Sequence, residues 1–181
     1  MTDDAELTIR RMTEDDIDQA AQVHAAAFPR QTFSRDWVQC GFRAFPKIQF
    51  FVAERNGEIV GVAFWTEKSG FRKEAIVELE QIAVHPSMQG QGIGTALIQQ
   101  SLPPVAAKIA ERGACLKHLL VNTRADNYAQ QLYEKAMGAV PAATISGMFP
   151  VDEVYMIAKD VVVDPRAKIF QPANDSIKPS V

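Results

Sequence analysis

The sequence contains few residues that could form covalent or metal cross-links. Among 181 residues there are two cysteines, Cys40 and Cys115, which lie far apart and form no CxxC pattern. This spacing indicates neither a disulfide framework nor a metal site.

Long apolar runs and an excess of positive charge are also missing. No apolar stretch approaches the roughly 20 residues that span a bilayer, and the acidic start, Met1 to Glu6, lacks the apolar region of a secretory signal. We therefore expect a cytoplasmic protein. The net charge of −3 disfavours a broad nucleic-acid surface and favours cationic partners such as amines.

The length is that of one domain with a full hydrophobic core. We expect this domain to occupy residues 1–160. From residue 161 the apolar pattern decays into proline, aspartate, serine and lysine. Residues 161–181 are therefore expected to form a C-terminal extension, either a surface strap or a disordered end.

What the sequence does contain is an apolar strand, a glycine-rich loop and an amphipathic helix in direct succession. The strand ends at His85-Pro86, and Gly90, Gly92 and Gly94 alternate before the helix. Such glycines allow positive φ and close backbone approach, and free N–H groups at a helix start can bind phosphate. The loop therefore predicts a pyrophosphate site. It fits neither the P-loop nor the Rossmann fingerprint, since no lysine follows Gly94 and the glycine spacing differs.

The segment Gln89-Gly-Gln-Gly92-Ile-Gly94 matches the pattern Gln/Arg-x-x-Gly-x-Gly/Ala. It resembles the acetyl-CoA signature of the GCN5-related N-acetyltransferases, the GNAT superfamily. The preceding Leu79–Pro86 and the downstream Leu132–Lys135 are also typical of that family, and the resemblance extends from about residue 7 to 159. It implies an α/β fold, a mixed sheet in the order β-α-α-β-β-β-α-β-α-β-β with splayed central strands.

Local patterns predict the same order of elements. Thr13 to Asp16 form a capping box before a helix that ends near Ala27. Ser34 is expected to cap a second helix, with Phe33 stapled onto Val38.

Further along the chain, Asn56-Gly57 predicts a type I′ hairpin turn. Pro103-Pro104 interrupt a helix whose apolar stripe keeps its register, which predicts a kink or a two-piece helix and not a loop. Ala143–Phe149 and Glu153–Lys159 are predicted to form the last hairpin.

The resemblance implies acetyl-CoA as co-substrate, no metal, and direct transfer of the acetyl group to a primary amine. It assigns pairing with the pantetheine arm to the backbone of Ile82, Ala83 and Val84. It assigns the pyrophosphate to Gln89, Gly90, Gln91, Gly92, Ile93, Gly94 and Thr95. Asn127 is a further expected cofactor contact. Its distance from Tyr133 departs from the family pattern, so Asp126 is the alternative.

Two side chains are candidates for catalysis. Glu80 matches a glutamate that serves as the proposed base in some relatives, and on a regular strand Glu78, Glu80, Ile82 and Val84 would share a face. Glu80 could instead pair only with the charge of the amine or with a neighbouring arginine. Tyr133 resembles the tyrosine that protonates the leaving thiolate, or it is a core aromatic. His85 is a minor alternative base, and a second family branch has a glutamate where this chain has Asn122.

The acceptor is expected to be a primary amine on a small molecule or on a protein N-terminus or lysine. Phe28, Phe33 and Trp37 either line its pocket or pack in the core, and Met148 and Phe149 could close the other side. The rival function is a non-catalytic acyl-CoA-binding regulatory module, and a third is nucleotide binding by the loop. The acyl chain and the oligomeric state stay open, with a homodimer as one alternative.

Overall fold

The fold is described by a computed structural model that covers residues 6–173 of the chain. Within that range seven strands form one sheet: β1 (Thr8–Arg11), β2 (Ile48–Arg55), β3 (Glu58–Glu67), β4 (Glu74–Val84), β5 (Cys115–Arg124), β6 (Val140–Ile145) and β7 (Glu153–Ala158). The α-helices are α1 (Ile17–Ala27), α2 (Ser34–Arg43), α3 (Ile93–Ala110) and α4 (Ala129–Met137). The predicted order of strands and helices is confirmed.

The sheet has the order β1-β2-β3-β4-β5-β7-β6, and only β4 and β5 are parallel neighbours. Helices α3 and α4 cover one face, where Leu97, Leu102 and Met137 pack with residues of β3 to β5 and β7. Helices α1 and α2 cover the other face over β2, β3 and the end of β4. Among the described residues, none from β5 or β7 joins this second core. On this face the sheet is therefore covered unevenly, since β5 and β7 take no part in the core beneath α1 and α2. This uneven cover determines where the candidate site lies.

The central strands β4 and β5 part along their length. They pair from Glu74 opposite Cys115 to Glu78 opposite Leu120. Beyond that point, β4 pairs with β3 only and β5 with β7 only. The splayed centre predicted for this sheet is confirmed.

Several short signals produce the turns that the sequence predicts. Thr13 and Asp16 form the capping box, with the Asp16 carboxylate accepting from the Thr13 N–H at 2.7 Å. Asn56 and Gly57 adopt φ of 55° and 77°, as a type I′ turn requires. Gly138 ends α4 at φ 72°. Each of these signals depends on neighbouring residues alone.

Helix α3 runs through both prolines as one helix. The prediction that the prolines lie in a helix and not in a loop is confirmed, and of its two alternatives the two-piece helix is not found. Because Pro103 has no N–H, it cannot bond the carbonyl of Gln99 four residues before it. That carbonyl instead accepts from the N–H of Phe170 at 2.8 Å. Phe170 is buried in the core against α3 and α4, and Pro172 lies against Gly138. Residues 161–173 thus pack on the domain, whereas residues 174–181 lie outside the described part.

Three local expectations are wrong. Ser34 does not cap α2, because its hydroxyl is hydrogen-bonded to the buried His24 ring at 2.8 Å. Phe33 is 74% exposed, so it forms no staple on Val38. Strand β6 also ends at Ile145 and not at Phe149, since a turn with Gly147 at φ 80° follows. No helix within residues 6–173 has the length and apolarity to cross a membrane.

Candidate active site

The parting of β4 and β5 opens a cleft of about 900 Å³. Its walls are the unpaired end of β4, the glycine-rich loop, the start of α3, the end of β5 and the inner face of α4. Most of the predicted site residues line it: Phe28, Glu80, Ile82, Ala83, Val84, Gln89, Gly90, Gly92, Ile93, Gly94, Thr95, Asn127 and Tyr133. Gln91, Phe33 and Trp37 do not.

The glycine-rich loop presents bare backbone to the cleft. Gly90 and Gly92 have φ of 77° and 78°, and a Cβ atom on either would meet no protein atom within 4 Å. The first hydrogen bond of α3 runs from the Ala96 N–H to the Gly92 carbonyl at 3.0 Å. The N–H groups that precede Ala96 therefore have no acceptor within the helix. Free N–H groups and open space together suit an anionic group such as pyrophosphate.

Three further loop residues have structural contacts. The Gln89 side-chain amide donates to the Val84 carbonyl at 3.1 Å and so ties the loop to β4. Gln91 faces away and accepts from Arg55 at 2.7 Å. A Cβ atom on Gly94 would approach Leu132 to 3.2 Å. Gly94 therefore lets α3 pack closely against α4, besides lining the cleft.

A β-bulge sets the position of Glu80. Trp65 pairs with Leu79 and Phe64 with Gln81, which leaves Glu80 with no residue opposite. The bulge reverses the alternation of β4, so Ile82 and Val84 pack towards α3. The expectation that they share a face with Glu80 is therefore wrong. The Glu80 carboxylate accepts a hydrogen bond from the Thr66 hydroxyl and borders the cleft.

Tyr133 is buried beneath the opposite wall. It is 6% exposed and lines the cleft. Burial raises the pKa of Tyr133 to about 12. The phenol is therefore protonated at neutral pH and retains a proton to donate.

Asn127, and not Asp126, faces the cleft. Its side-chain amide donates to the Thr123 hydroxyl at 2.8 Å, and its oxygen accepts from the Ala129 N–H at 2.9 Å. Asp126 instead binds Arg124 in a fork, at 3.0 and 2.7 Å. The Arg124 guanidinium lowers the pKa of Asp126. The one-residue departure from the family pattern thus leaves Asn127 at the cleft.

A partly buried hydrogen-bonded network connects the helices α1 and α2 to β4. The Gln81 side-chain oxygen lies 2.6 Å from His24 Nε2 and accepts from Trp37 Nε1 at 3.0 Å. Since that oxygen can only accept, His24 Nε2 carries the proton and Nδ1 accepts from Ser34. Burial lowers the pKa of His24, which favours the neutral ring. Trp37 is 47% exposed and is not among the residues that line the cleft, whereas its partner Gln81 is.

The sequence matches the model of the acetyltransferase (GNAT) family over residues 15–139. The chain belongs to this family.

Individual relatives agree with this membership. An uncharacterised N-acetyltransferase of Methanocaldococcus jannaschii is 33% identical over 106 residues, which are 52% of this chain and 46% of that protein. The match thus spans less than half of the relative's length. The ribosomal-protein-S18-alanine N-acetyltransferase of Escherichia coli has a TM-score of 0.68 at 22% identity, over 87% of this chain and 96% of that one. Arabidopsis thaliana NAA60, solved in complex with acetyl-CoA, has a TM-score of 0.68 at 16% identity, over 85% and 98%. At these identities the structures show a shared GNAT fold.

Sequence reasoning missed part of the cleft of this GNAT domain. Gln81 and Glu153 line it without having been predicted, and Asn122 lines it although it was considered only as a lost base. Phe149 lines the cleft as suggested, whereas Met148 is 54% exposed and does not. Gln81 carries no local signal, because its partners come from two helices distant in sequence. Glu153 begins a strand, where a charged residue is ordinary.

The His85 ring is hydrogen-bonded to the Ser87 hydroxyl at 2.8 Å and lies outside the cleft. Among residues 6–173, no group of three or more His, Cys, Asp or Glu side chains is arranged to hold a metal ion.

Proposed function

We propose that this protein is an acetyl-CoA-dependent N-acetyltransferase that transfers the acetyl group directly to a primary amine. One observation carries the proposal. The unpaired end of β4 leads straight into a loop with two open positive-φ glycines, and both border a cleft that also holds Glu80 and Tyr133. Membership of the GNAT family supports it.

The residues of the cleft fit acetyl-CoA. The backbone of Ile82 to Val84 pairs on one side only, with β3, so the other edge is available to the pantetheine arm. The loop from Gln89 to Thr95 would hold the pyrophosphate through backbone N–H groups. Asn127 borders the same cleft. When bound, acetyl-CoA supplies a thioester, whose acetyl carbon accepts the amine nitrogen.

Two side chains of the cleft would carry out the proton transfers of the reaction, one from the amine and one to the sulfur. An alkyl ammonium must lose a proton before its nitrogen can form the new N–C bond, and Glu80 is the carboxylate placed to take it. As the C–S bond breaks, Tyr133 gives its proton to the departing sulfur. A backbone N–H of the β4 edge stabilises charge on the thioester oxygen, as in an oxyanion hole.

We also propose an acceptor class and a cellular location for the protein. Acceptors are primary amines, on small molecules or on protein N-termini or lysines. The exposed free thiols of Cys40 and Cys115 are in keeping with a cytoplasmic location. A non-catalytic acyl-CoA-binding module is disfavoured, because Glu80 and Tyr133 both border the cleft.

The test is a panel of amines incubated with the purified protein and acetyl-CoA. The panel combines small alkyl amines, peptides with a free N-terminus, and N-terminally blocked lysine peptides. We expect amine-dependent release of the CoA thiol, with the N-acetyl product identified by mass spectrometry. Binding of acetyl-CoA without release by any amine would favour the binding module. Thermal stabilisation by ATP or NAD in place of acetyl-CoA would contradict both.

A further inference from the structure

Glu153 is a buried carboxylate that lacks a strong partner. It is 8% exposed and lines the cleft from β7. Among the described residues its one hydrogen bond comes from the Asn122 side-chain amide at 3.4 Å, which is long for an N–H···O bond. A buried charge is costly unless it is paired or well hydrogen-bonded. The side chain is therefore placed to receive a donor from outside the chain.

The cation nearest in the sheet is engaged by another carboxylate. Arg124, opposite Glu153 and also lining the cleft, is held in the fork with Asp126. Its charge acts on Glu153 from a distance but forms no ion pair with it. Within residues 6–173 no Lys, Arg or His lies within 4 Å of the Glu153 carboxylate.

Glu153 and Glu80 approach the cleft from two sides. Glu80 lies on β4 and Glu153 on β7, and β5 with Asn122 runs between these strands. Glu80 already accepts a hydrogen bond from Thr66, whereas Glu153 has only the long contact with Asn122. The two carboxylates therefore differ in how free they are to bind a cation.

We propose that Glu153 binds the positively charged acceptor and positions its nitrogen for Glu80. This role rests on the acetyl transfer proposed above. It defines the acceptor as a primary ammonium on a carbon chain that bears no carboxylate nearby. A second anion would be repelled by both glutamates, and Arg124, which also lines the cleft, is already bound to Asp126. Phe28 and Phe149, which also line the cleft, suit the carbon chain. Such an ammonium is provided by a simple alkyl amine or by a peptide N-terminus.

The experiment measures binding without turnover. Calorimetry with the protein saturated by CoA would use three probes: 2-phenylethylamine, a tripeptide amide with a free N-terminus, and phenylalanine. For wild type we expect phenylalanine to bind at least 10-fold more weakly than 2-phenylethylamine. The relative affinities of the first two probes distinguish a small amine from a peptide as the source of the ammonium.

Glu153→Gln keeps the size and the Asn122 contact but removes the charge. It should weaken binding of the preferred ammonium probe roughly 10- to 100-fold, as expected for a charged hydrogen bond. The affinity for CoA should not change. In turnover, KM for the amine should rise while kcat stays within about threefold. Glu153→Asp should recover part of the lost affinity. The control Asp152→Asn removes the same charge one residue away, outside the cleft, and should behave as wild type.

Several outcomes would overturn the role. They are unchanged ammonium binding by Glu153→Gln, an equal loss in Asp152→Asn, or a fall in kcat at constant KM, which would make Glu153 a base. Equal wild-type affinity for phenylalanine and 2-phenylethylamine would overturn it without any variant. Failure of the acetyl transfer itself would be seen separately, as absence of CoA release by wild type while ammonium binding persists.

Discussion

The two ends of the cleft are built by different means. At the end that we propose for the pyrophosphate, the phosphate end, Gly90, Gly92 and the start of α3 present backbone N–H groups in open space. At the end that we propose for the amine, the acceptor end, side chains such as Glu80, Gln81 and Glu153 converge from separate strands. A backbone site is specified by one short segment, whereas a side-chain site depends on the whole sheet. The two ends should therefore respond independently to substitution.

The largest effect is expected at the acceptor end, from Glu80→Gln. If Glu80 takes the proton, kcat should fall by roughly 10²- to 10⁴-fold while the affinity for acetyl-CoA is unchanged. Steady-state kinetics with the best amine and calorimetry with acetyl-CoA measure the two quantities. Glu134→Gln, exposed on α4, is the control and should keep wild-type rates. A raised KM with kcat unaffected would mean that Glu80 only attracts the ammonium.

At the phosphate end, the corresponding test adds a charge, by Gly92→Glu. A carboxylate in the open space beside Gly92 would repel the pyrophosphate. At an acetyl-CoA concentration of 100 Kd, wild type should gain about 2.7 kcal/mol of unfolding free energy, and the variant should gain almost none. Gly70→Glu is a matched control, because Gly70 also has positive φ and open surroundings but lies outside the cleft. Equal thermal shifts in Gly92→Glu and wild type would contradict the loop assignment.

Tyr133 lies between the two ends, and we expect its substitution to have an intermediate effect on kcat. Tyr133→Phe keeps the buried ring, so folding and acetyl-CoA binding should persist. Loss of the proton donor should lower kcat roughly 10-fold. The exposed Tyr128 provides the control Tyr128→Phe, which should not change kcat. A Tyr133→Phe rate within about twofold of wild type would make Tyr133 a core residue.

The smallest effect concerns stability, and again the acceptor end. The pKa of His24 is lowered in the folded state from its ordinary 6.5. Above pH 6.5 the ring is neutral in both states, so it adds no pH dependence. As the pH falls below 6.5, the unfolded chain takes up a proton that the folded chain does not. The unfolding free energy should then decrease, by at most about 1.4 kcal/mol per pH unit.

Urea unfolding at pH 8.0, 7.0 and 5.5 tests this dependence. The difference in unfolding free energy between wild type and His24→Gln should be constant from pH 8.0 to 7.0. It should shift in favour of the variant at pH 5.5, since glutamine does not titrate. A difference that stays constant down to pH 5.5 would show that His24 does not titrate below its ordinary value.

The same contrast explains what could be predicted from sequence. Turns and loops such as Asn56-Gly57 and Gly90 to Gly94 depend on neighbouring residues, and they were found. The bulge at Glu80 arises from pairing with β3, so it reversed the expected faces of Ile82 and Val84. Ser34 has good capping chemistry, but a buried histidine from α1 competes for its hydroxyl. The position of Glu153 in the cleft depends on the pairing of β7 with β5, which the sequence of β7 alone does not reveal.

Pro103 also affects how residues 161–173 attach to helix α3. A proline is about 3 kcal/mol worse than alanine inside a helix, yet here the missing N–H leaves a carbonyl free for Phe170. Alanine at position 103 would bring a second N–H to the Gln99 oxygen, whose two lone pairs would then serve the helix and Phe170 together. With proline there, the oxygen serves Phe170 without a helical donor beside it. Residues 161–173 are thus joined to α3 by a carbonyl that the helix itself does not use.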